Sequence, residues 1–335
     1  MVRVGINGFG RIGRLVLRAG WKRDDVQFVA VNEPNASAET MALLLEFDSV
    51  QGRFPQTCKG NNNELRIAEQ TLTYLQHDRP GNIPWKDLGV DMVLDCSGQF
   101  RKTNLLTPHL DNGAKRVVVS APVKDGPPNI VMGVNDDAFD LRDHAIVTAA
   151  SCTTNALAPI VRVLQDEIGI KKGLVTTIHD PTNTQSVHDA PHADPRRARA
   201  SQLSLIPTST NSATAVTLII PELAGKLDSI AVRAPVLNAS LIDCVFEVER
   251  PTSIEEVNQI LETATRKGPL VDILGFEERP LVSVDYAGDP RSSIVDAQST
   301  RVTDGTLVKV LAWYDNEWGY ANRMVELAAK VGTYL

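Results

Sequence analysis

The chain has 335 residues, 43% hydrophobic and 22% charged, which excludes a disordered polymer and suits two domains of ordinary size. Lys and Arg number 34 against 41 Asp and Glu, and the net charge of −7 excludes a general nucleic-acid binder, which needs excess cations to meet phosphates. No apolar run approaches the roughly 18 residues that cross a bilayer, so membrane insertion is not expected.

The first residues read as a strand and not as a charged-then-apolar leader. Cys58, Cys96, Cys152 and Cys244 lie far apart and form no CxxC pair. Free thiols in a reducing cytoplasm are therefore expected, with neither a metal site nor a disulfide framework. Residues 2–6 are a short apolar run, the mark of a strand buried on two faces. A Gly-rich stretch follows at 7–13, and then Ile12, Leu15, Val16 and Ala19 recur at helical spacing. Further strand-like runs fall at 26–31, 92–94, 117–119 and 145–147, and Asn61-Asn62-Asn63 reads as a hairpin turn. Strand, helix, strand in this order predicts an α/β, Rossmann-type parallel sheet over residues 1–150.

Past Cys152, the positions Leu157, Ile160, Val161, Leu164 and Ile168 predict a helix, with Pro159 kinking it or sitting near its start. A polar segment at 180–204 is long enough to be functional. The runs at 230–236, 241–248 and 307–313 are longer and closer together. They predict a second domain over 151–316, α+β in class, with a mostly antiparallel sheet. The last helix, 320–331, carries the apolar stripe Met324, Leu327, Ala328 and Val331. That stripe needs a surface to cover, so about 317–335 is expected to return to the first domain.

Gly8-Phe9-Gly10-Arg11-Ile12-Gly13 matches GxGxxG, and it follows a predicted strand and opens a predicted helix. Glu33 lies 20 residues after Gly13, at the end of the next strand. A carboxylate there can bond both ribose hydroxyls of NAD and would repel the extra phosphate of NADP. A plain turn followed by a solvated Glu is the simpler alternative; strand, turn, helix, strand and acid together favour the dinucleotide. Ser151-Cys152-Thr153-Thr154-Asn155 sits between a strand and a helix, which places Cys152 at or near a helix N-terminus, where the dipole stabilises a thiolate. Cys58, Cys96 and Cys244 read as small buried hydrophobes. A thiolate needs a base. His77, His109 and His144 fall in stretches expected to be solvated, whereas His179 ends a strand-like run and can project into a site. His188 and His192, in the polar segment, remain competitors, because pairing in space is not readable from spacing.

Taken together, these residues resemble the phosphorylating glyceraldehyde-3-phosphate dehydrogenase family over essentially the whole chain. The likeness is carried by Asn7-Gly8-Phe9-Gly10-Arg11-Ile12-Gly13-Arg14, Ser120-Ala121-Pro122, Ala150-Ser151-Cys152-Thr153-Thr154-Asn155 and Trp313-Tyr314-Asp315-Asn316-Glu317-Trp318-Gly319-Tyr320. It implies that Cys152 attacks the aldehyde of glyceraldehyde 3-phosphate with His179 activating the thiol. Hydride then passes to NAD, and inorganic phosphate releases the thioester as an acyl phosphate. It implies a cofactor site of Gly8, Gly10, Arg11, Ile12, Gly13, Glu33, Arg79, Ser120 and Asn316, the last orienting the nicotinamide amide. Thr182 and Arg233 match positions that grip the substrate's phosphate. Ser151, Thr153, Thr210 and the adjoining Asn211 match those that hold the attacking anion. The segment at 180–204 resembles a loop that lines a neighbouring subunit's cofactor site, which implies a homotetramer.

The chain departs from the family pattern in places. Glu33 stands where Asp is usual, Pro195 where Leu is common, and Asp78-Arg79 reverses a common order. Asn211 replaces a usual Gly and is expected to accept a Gly-like, left-handed backbone. Leu44-Leu45-Glu46-Phe47-Asp48-Ser49-Val50, His179-Asp180-Pro181-Thr182-Asn183-Thr184-Gln185 and Asp243-Cys244-Val245-Phe246-Glu247-Val248-Glu249 resemble the family's arsenic-resistance branch. That branch implies attack by arsenate, a 1-arseno-3-phosphoglycerate product and export by a partner permease. Competing readings are a plain glycolytic enzyme, an erythrose-4-phosphate or semialdehyde dehydrogenase, and a non-catalytic NAD-binding redox sensor.

Overall fold

In the computed structural model, which describes residues 1–182 and 185–335, the chain divides into two compact units. The first comprises Met1–Ile130, Asn135–Ser151 and Ala321–Leu335; the second comprises Val131–Val134 and Cys152–Tyr320.

The first unit opens with β1 (Val2–Asn7), α1 (Arg11–Gly20), β2 (Val26–Asn32) and α2 (Ala38–Glu46). A small ribbon of β3 (Phe47–Asp48) and β4 (Gly52–Arg53) follows, then β5 (Cys58–Asn61), β6 (Glu64–Ile67) and β7 (Gln70–Leu75). The unit continues with β8 (Met92–Asp95), α3 (Thr103–Asp111), β9 (Arg116–Val119) and β10 (Ile146–Thr148). The sheet order is β10-β9-β8-β1-β2-β7-β6-β5, parallel as far as β7 and antiparallel beyond it. Val4, Ile6, Val93, Leu94, Val117 and Val118 are fully buried, as unbroken apolar strands require when helices cover two faces. Asn62, at φ 47, turns the chain between β5 and β6, a left-handed position that Asn accepts.

The second unit contains α4 (Cys152–Glu167), β11 (Ile170–His179), β12 (Ile206–Ser209), α5 (Ser212–Ile219), β13 (Leu227–Arg233) and β14 (Ser240–Val248). It continues with α6 (Ile254–Arg266), β15 (Leu274–Glu277), β16 (Ser293–Asp296), β17 (Arg301–Thr303) and β18 (Leu307–Tyr314). Its sheet runs β12-β13-β11-β14-β18-β16-β15, with β17 beside β18. The pairs β11–β13 and β15–β16 are parallel and the others antiparallel. Along β14, buried residues alternate strictly with partly exposed ones, the mark of a sheet with one face in the core. Pro159 lies inside α4, which runs on past it to Glu167. The described residues of the polar segment form neither helix nor strand, and Asp189 ties them locally by accepting from Arg199 Nε and the Ala200 N–H, each at 2.9 Å.

The last helix, α7 (Trp318–Gly332), contributes Ala321 onward to the first unit. Met324, Leu327, Ala328 and Val331 are buried, Val325 packs close to Gly20, and Gly332 lies so near Val2 that a Cβ on it would collide. Lys330 pairs with Asp136 at 2.7 Å and with Asp137. Among the described residues, no helix is long and apolar enough to cross a membrane.

Two expectations need correction. His109 is not solvated but fully buried on α3; Trp85 Nε1 donates to its Nδ1 at 2.9 Å, and its Nε2 faces Asp95 Oδ2 at 3.1 Å. The indole of a buried Trp needs an acceptor, and His109 supplies it. Cys58 is half-buried, with its Sγ 3.6 Å from the Gln56 carbonyl, and burial together with Glu46 pushes its thiol up to about 12.

Candidate active site

In the first unit, Gly8 has φ 89, and a Cβ there would lie 2.5 Å from the Ser97 backbone. A Cβ on Gly13 would strike the Gly8 carbonyl oxygen. Glycine is therefore required at these two positions for the turn to close. Gly10 faces open space and caps α1 with no side-chain hydrogen bond. Glu33, just past β2, is buried against this turn. Its Oε2 accepts from the Phe9 N–H at 2.9 Å, and its Oε1 accepts from the Asn35 N–H at 3.0 Å and Asn35 Nδ2 at 3.2 Å. An open helix N-terminus, a glycine surface and a carboxylate at the end of β2 fit a dinucleotide's pyrophosphate and ribose. Of the other residues expected here, Ile12 is half-buried on α1 and Arg11 pairs with Asp48. Arg79 is largely exposed, 4.0 Å from Asp78, and the Ser120 N–H donates to the Asp95 carbonyl at 2.9 Å. Beneath the turn, Asn7 Nδ2 donates to Asp95 Oδ2, and Asn32 Nδ2 donates to Asn7 Oδ1, each at 2.8 Å.

In the second unit, Cys152 is the first residue of α4, and His179 is the last of β11. Cys152 Sγ stands 3.7 Å from His179 Nε2. The other ring nitrogen, Nδ1, is 2.8 Å from the Asp180 carbonyl oxygen and 2.6 Å from Asp180 Oδ1. Tyr314, which ends β18, fixes the ring's tilt: the two ring centroids are 5.9 Å apart, edge to face. Its hydroxyl is 3.0 Å from Thr153 Oγ1 and 2.8 Å from Thr177 Oγ1. Asn316 Nδ2 donates to Asp180 Oδ2 at 3.1 Å, while Asn316 Oδ1 accepts from Ser240 Oγ at 3.0 Å. The parallel register of β11 and β13 sets Arg233 beside His179, and Arg233 donates to the Asp180 carbonyl at 3.1 Å.

Burial opposes a charge on either member of the Cys152–His179 pair, but the partners outweigh it. The Cys152 thiol falls below its ordinary value because His179 bonds and opposes its charge. His179 rises to about 9, because Asp180 and then Cys152 favour the imidazolium. Burial lowers Arg233, and it raises Tyr314 well above the usual phenol range.

The structure thus brings Cys152, Thr153, His179, Arg233 and Asn316 into one network. Thr182 is tied within its own loop, its N–H and hydroxyl donating to Gln185 Oε1 at 3.0 and 3.1 Å. Thr210 Oγ1 lies 2.7 Å from Ser212 Oγ, and Ser151 is the last residue of the first unit's middle segment. Asn211 is exposed at the start of α5 with φ −105, so the left-handed backbone expected there is absent and no Gly-like freedom is needed. His188 and His192 are exposed, and His192 Nδ1 accepts from the Asp194 N–H at 2.9 Å. Asn183 and Thr184, part of one branch-like segment, lie outside the described residues. Sequence reasoning gave no role to Asp180, Tyr314, Thr177 or Ser240. Adjacency to His179 was a signal for Asp180 and the aromatic box for Tyr314; Thr177 and Ser240 carried none. Among the described residues no group of His, Cys, Asp and Glu is arranged to hold a metal.

A family model described as glyceraldehyde 3-phosphate dehydrogenase, C-terminal domain, matches residues 151–316. Another, glyceraldehyde 3-phosphate dehydrogenase, NAD binding domain, matches residues 2–103. Glyceraldehyde-3-phosphate dehydrogenase 3 of Nostoc sp. is 58% identical over 334 residues, covering 100% of this chain and 99% of its own. Glyceraldehyde-3-phosphate dehydrogenase of Geobacillus stearothermophilus is 48% identical over 332 residues, covering 99% and 98%. That of Pseudomonas aeruginosa is 48% identical over 330 residues, covering 98% and 97%.

Proposed function

Because the chain belongs to the glyceraldehyde-3-phosphate dehydrogenase family and is an NAD-dependent enzyme, we propose that it oxidises glyceraldehyde 3-phosphate through a thioester on Cys152. The observation that carries this reading is the thiol at the start of α4, 3.7 Å from the His179 imidazole. His179 takes the thiol proton, and the thiolate attacks the aldehyde carbon to give a hemithioacetal. The Cys152 N–H and the imidazolium steady the oxyanion; the imidazolium returns its proton to that oxygen, and the neutral ring then takes it back as hydride leaves and the oxygen becomes a carbonyl. NAD, which the glycine turn and Glu33 would hold, would supply the hydride acceptor. Loss of hydride leaves a thioester on Cys152. An anion oxygen attacks its carbonyl carbon, and the thiolate departs. Arg233 and Thr182 serve the substrate's phosphate; Ser151, Thr153 and Thr210 serve the attacking anion.

For that anion we favour arsenate in a detoxification role, with 1-arseno-3-phosphoglycerate handed to a permease. The support is the three branch-like segments and the exposed Asn211 amide beside Thr210. The glycolytic reading, with phosphate as acceptor, draws on the same thiol–imidazole pair, since the two anions share shape and charge. A cytoplasmic homotetramer belongs to either reading. Deleting the gene separates them: lost arsenate resistance with normal growth on sugars is expected. Unchanged resistance with failed growth on sugars overturns the arsenate role.

A further inference from the structure

We infer that Asp180 is a positioning residue for His179: its main-chain oxygen holds the Nδ1–H, and its carboxylate stabilises the imidazolium that faces Cys152. The role rests on the Cys152–His179 pairing proposed above. The carbonyl oxygen is hydrogen-bonded to Nδ1 at 2.8 Å, while Oδ1, 2.6 Å from the same nitrogen, makes no hydrogen bond and acts through its charge. One residue thus supplies two oxygens to one nitrogen.

One carboxylate oxygen is held by Asn316, and Ser240 ties Asn316 to the Asp180 backbone. Asn316 Nδ2 donates to Oδ2, the Asp180 N–H donates to Ser240 Oγ at 3.3 Å, and Ser240 Oγ in turn donates to Asn316 Oδ1. Arg233 fixes the carbonyl from β13. Asp180 is 2% exposed, so water does little to screen its charge. The groups that face His179 are Cys152 from α4, Tyr314 from β18, Arg233 from β13 and Asp180 itself. Arg233 opposes the imidazolium, and Tyr314 is neutral at working pH. Besides the thiolate, Asp180 is therefore the anion that favours it.

The geometry has a direction. With Nδ1–H pinned, Nε2 is left to exchange a proton with sulfur, which is the tautomer a base for Cys152 requires. A neutral amide at 180 keeps the size and an acceptor for Asn316 but removes the charge. The main-chain oxygen alone then faces Nδ1.

The test is the pH dependence of Cys152 alkylation by iodoacetamide in the full-length enzyme. Wild type shows thiolate reactivity below the ordinary thiol range and an upper ionisation that belongs to His179. In His179→Asn the upper ionisation disappears; if it persists, the pairing itself fails, and the role of Asp180 with it. In Asp180→Asn that ionisation moves down by about one unit or more, as expected when an adjacent opposite charge is lost. A profile that superimposes on wild type, in an Asp180→Asn protein that still binds NAD, overturns the role while leaving the pairing intact. A second measurement needs no variant: in a nitrogen NMR titration of wild type, Nδ1 keeps its proton throughout while Nε2 titrates. A neutral ring protonated on Nε2 overturns it.

Discussion

Among the described residues, His109 in the first unit and His179 in the second are both buried, and both lie within hydrogen-bonding reach of an aspartate. They differ in what meets the other ring nitrogen. Trp85 Nε1 donates to His109 Nδ1, which leaves Nε2–H for Asp95, so the two nitrogens are occupied within the core. His179 gives Nδ1 to Asp180 and faces sulfur with Nε2. Burial beside an acid therefore makes a structural bridge in one unit and, on the function proposed above, an acid–base pair in the other. The deciding partner is the third group.

The comparison breaks or sharpens under substitution. Cys152→Ser removes the nucleophile and should abolish aldehyde oxidation while NAD binding, read by fluorescence quenching, persists; unimpaired turnover removes Cys152 from the chemistry. His179→Asn should slow steady-state turnover by about 10²–10⁴-fold, the usual worth of a positioned base. His109→Ala should leave the pH profile of Cys152 alkylation in place but lose about 2–4 kcal/mol in urea unfolding, since it opens a cavity and leaves the buried Trp85 N–H without its acceptor, while Asp95 keeps Asn7 and Ser97. Should the alkylation profile move instead, the two histidines are not independent and the contrast fails.

Glu33→Gln tests the first unit's ligand selectivity. The ratio of kcat/KM for NAD over NADP should fall by at least about tenfold, because a like-charge contact between Glu33 and the extra phosphate costs several kcal/mol. The smallest effect is expected at Asn211→Gly. Its backbone needs no left-handed freedom and its side chain caps nothing, so thermal unfolding should change by a few tenths of a kcal/mol. NADH production with arsenate against phosphate then reports whether the amide itself matters.

What was legible in the sequence was local. Gly8 to Gly13 and Ser151 to Asn155 each carry their geometry within a few residues of continuous chain. Asp180, Ser240, Tyr314 and Asn316 are joined by strand register instead. Pairing of Ser240 with Tyr314, and of Ile178 with Leu241, draws the ends of β11, β14 and β18 together. A one-residue slip would turn those side chains to the other face, and composition does not specify it. Of strands β5 to β7 only the hairpin turn at Asn61-Asn62-Asn63 was read, because the strands are short and polar on one face, with Leu65 and Ile67 the only buried residues of β6. His109 was misplaced because its two partners, Trp85 in the turns before β8 and Asp95 at the end of β8, are set beside it by the fold and not by spacing.

The return of α7 to the first unit has a consequence for synthesis. Val2 and Gly20 rest against Gly332 and Val325, yet the ribosome makes about 170 residues between Ser151 and Ala321. At about 5–20 residues per second, the nascent first unit waits on the order of ten seconds or more with part of its apolar surface uncovered. The second unit, contiguous from Cys152 to Tyr320 apart from a four-residue piece, emerges in that interval and can fold before its predecessor is finished. Emergence of the last helix then sets when the whole nucleotide-binding half first exists.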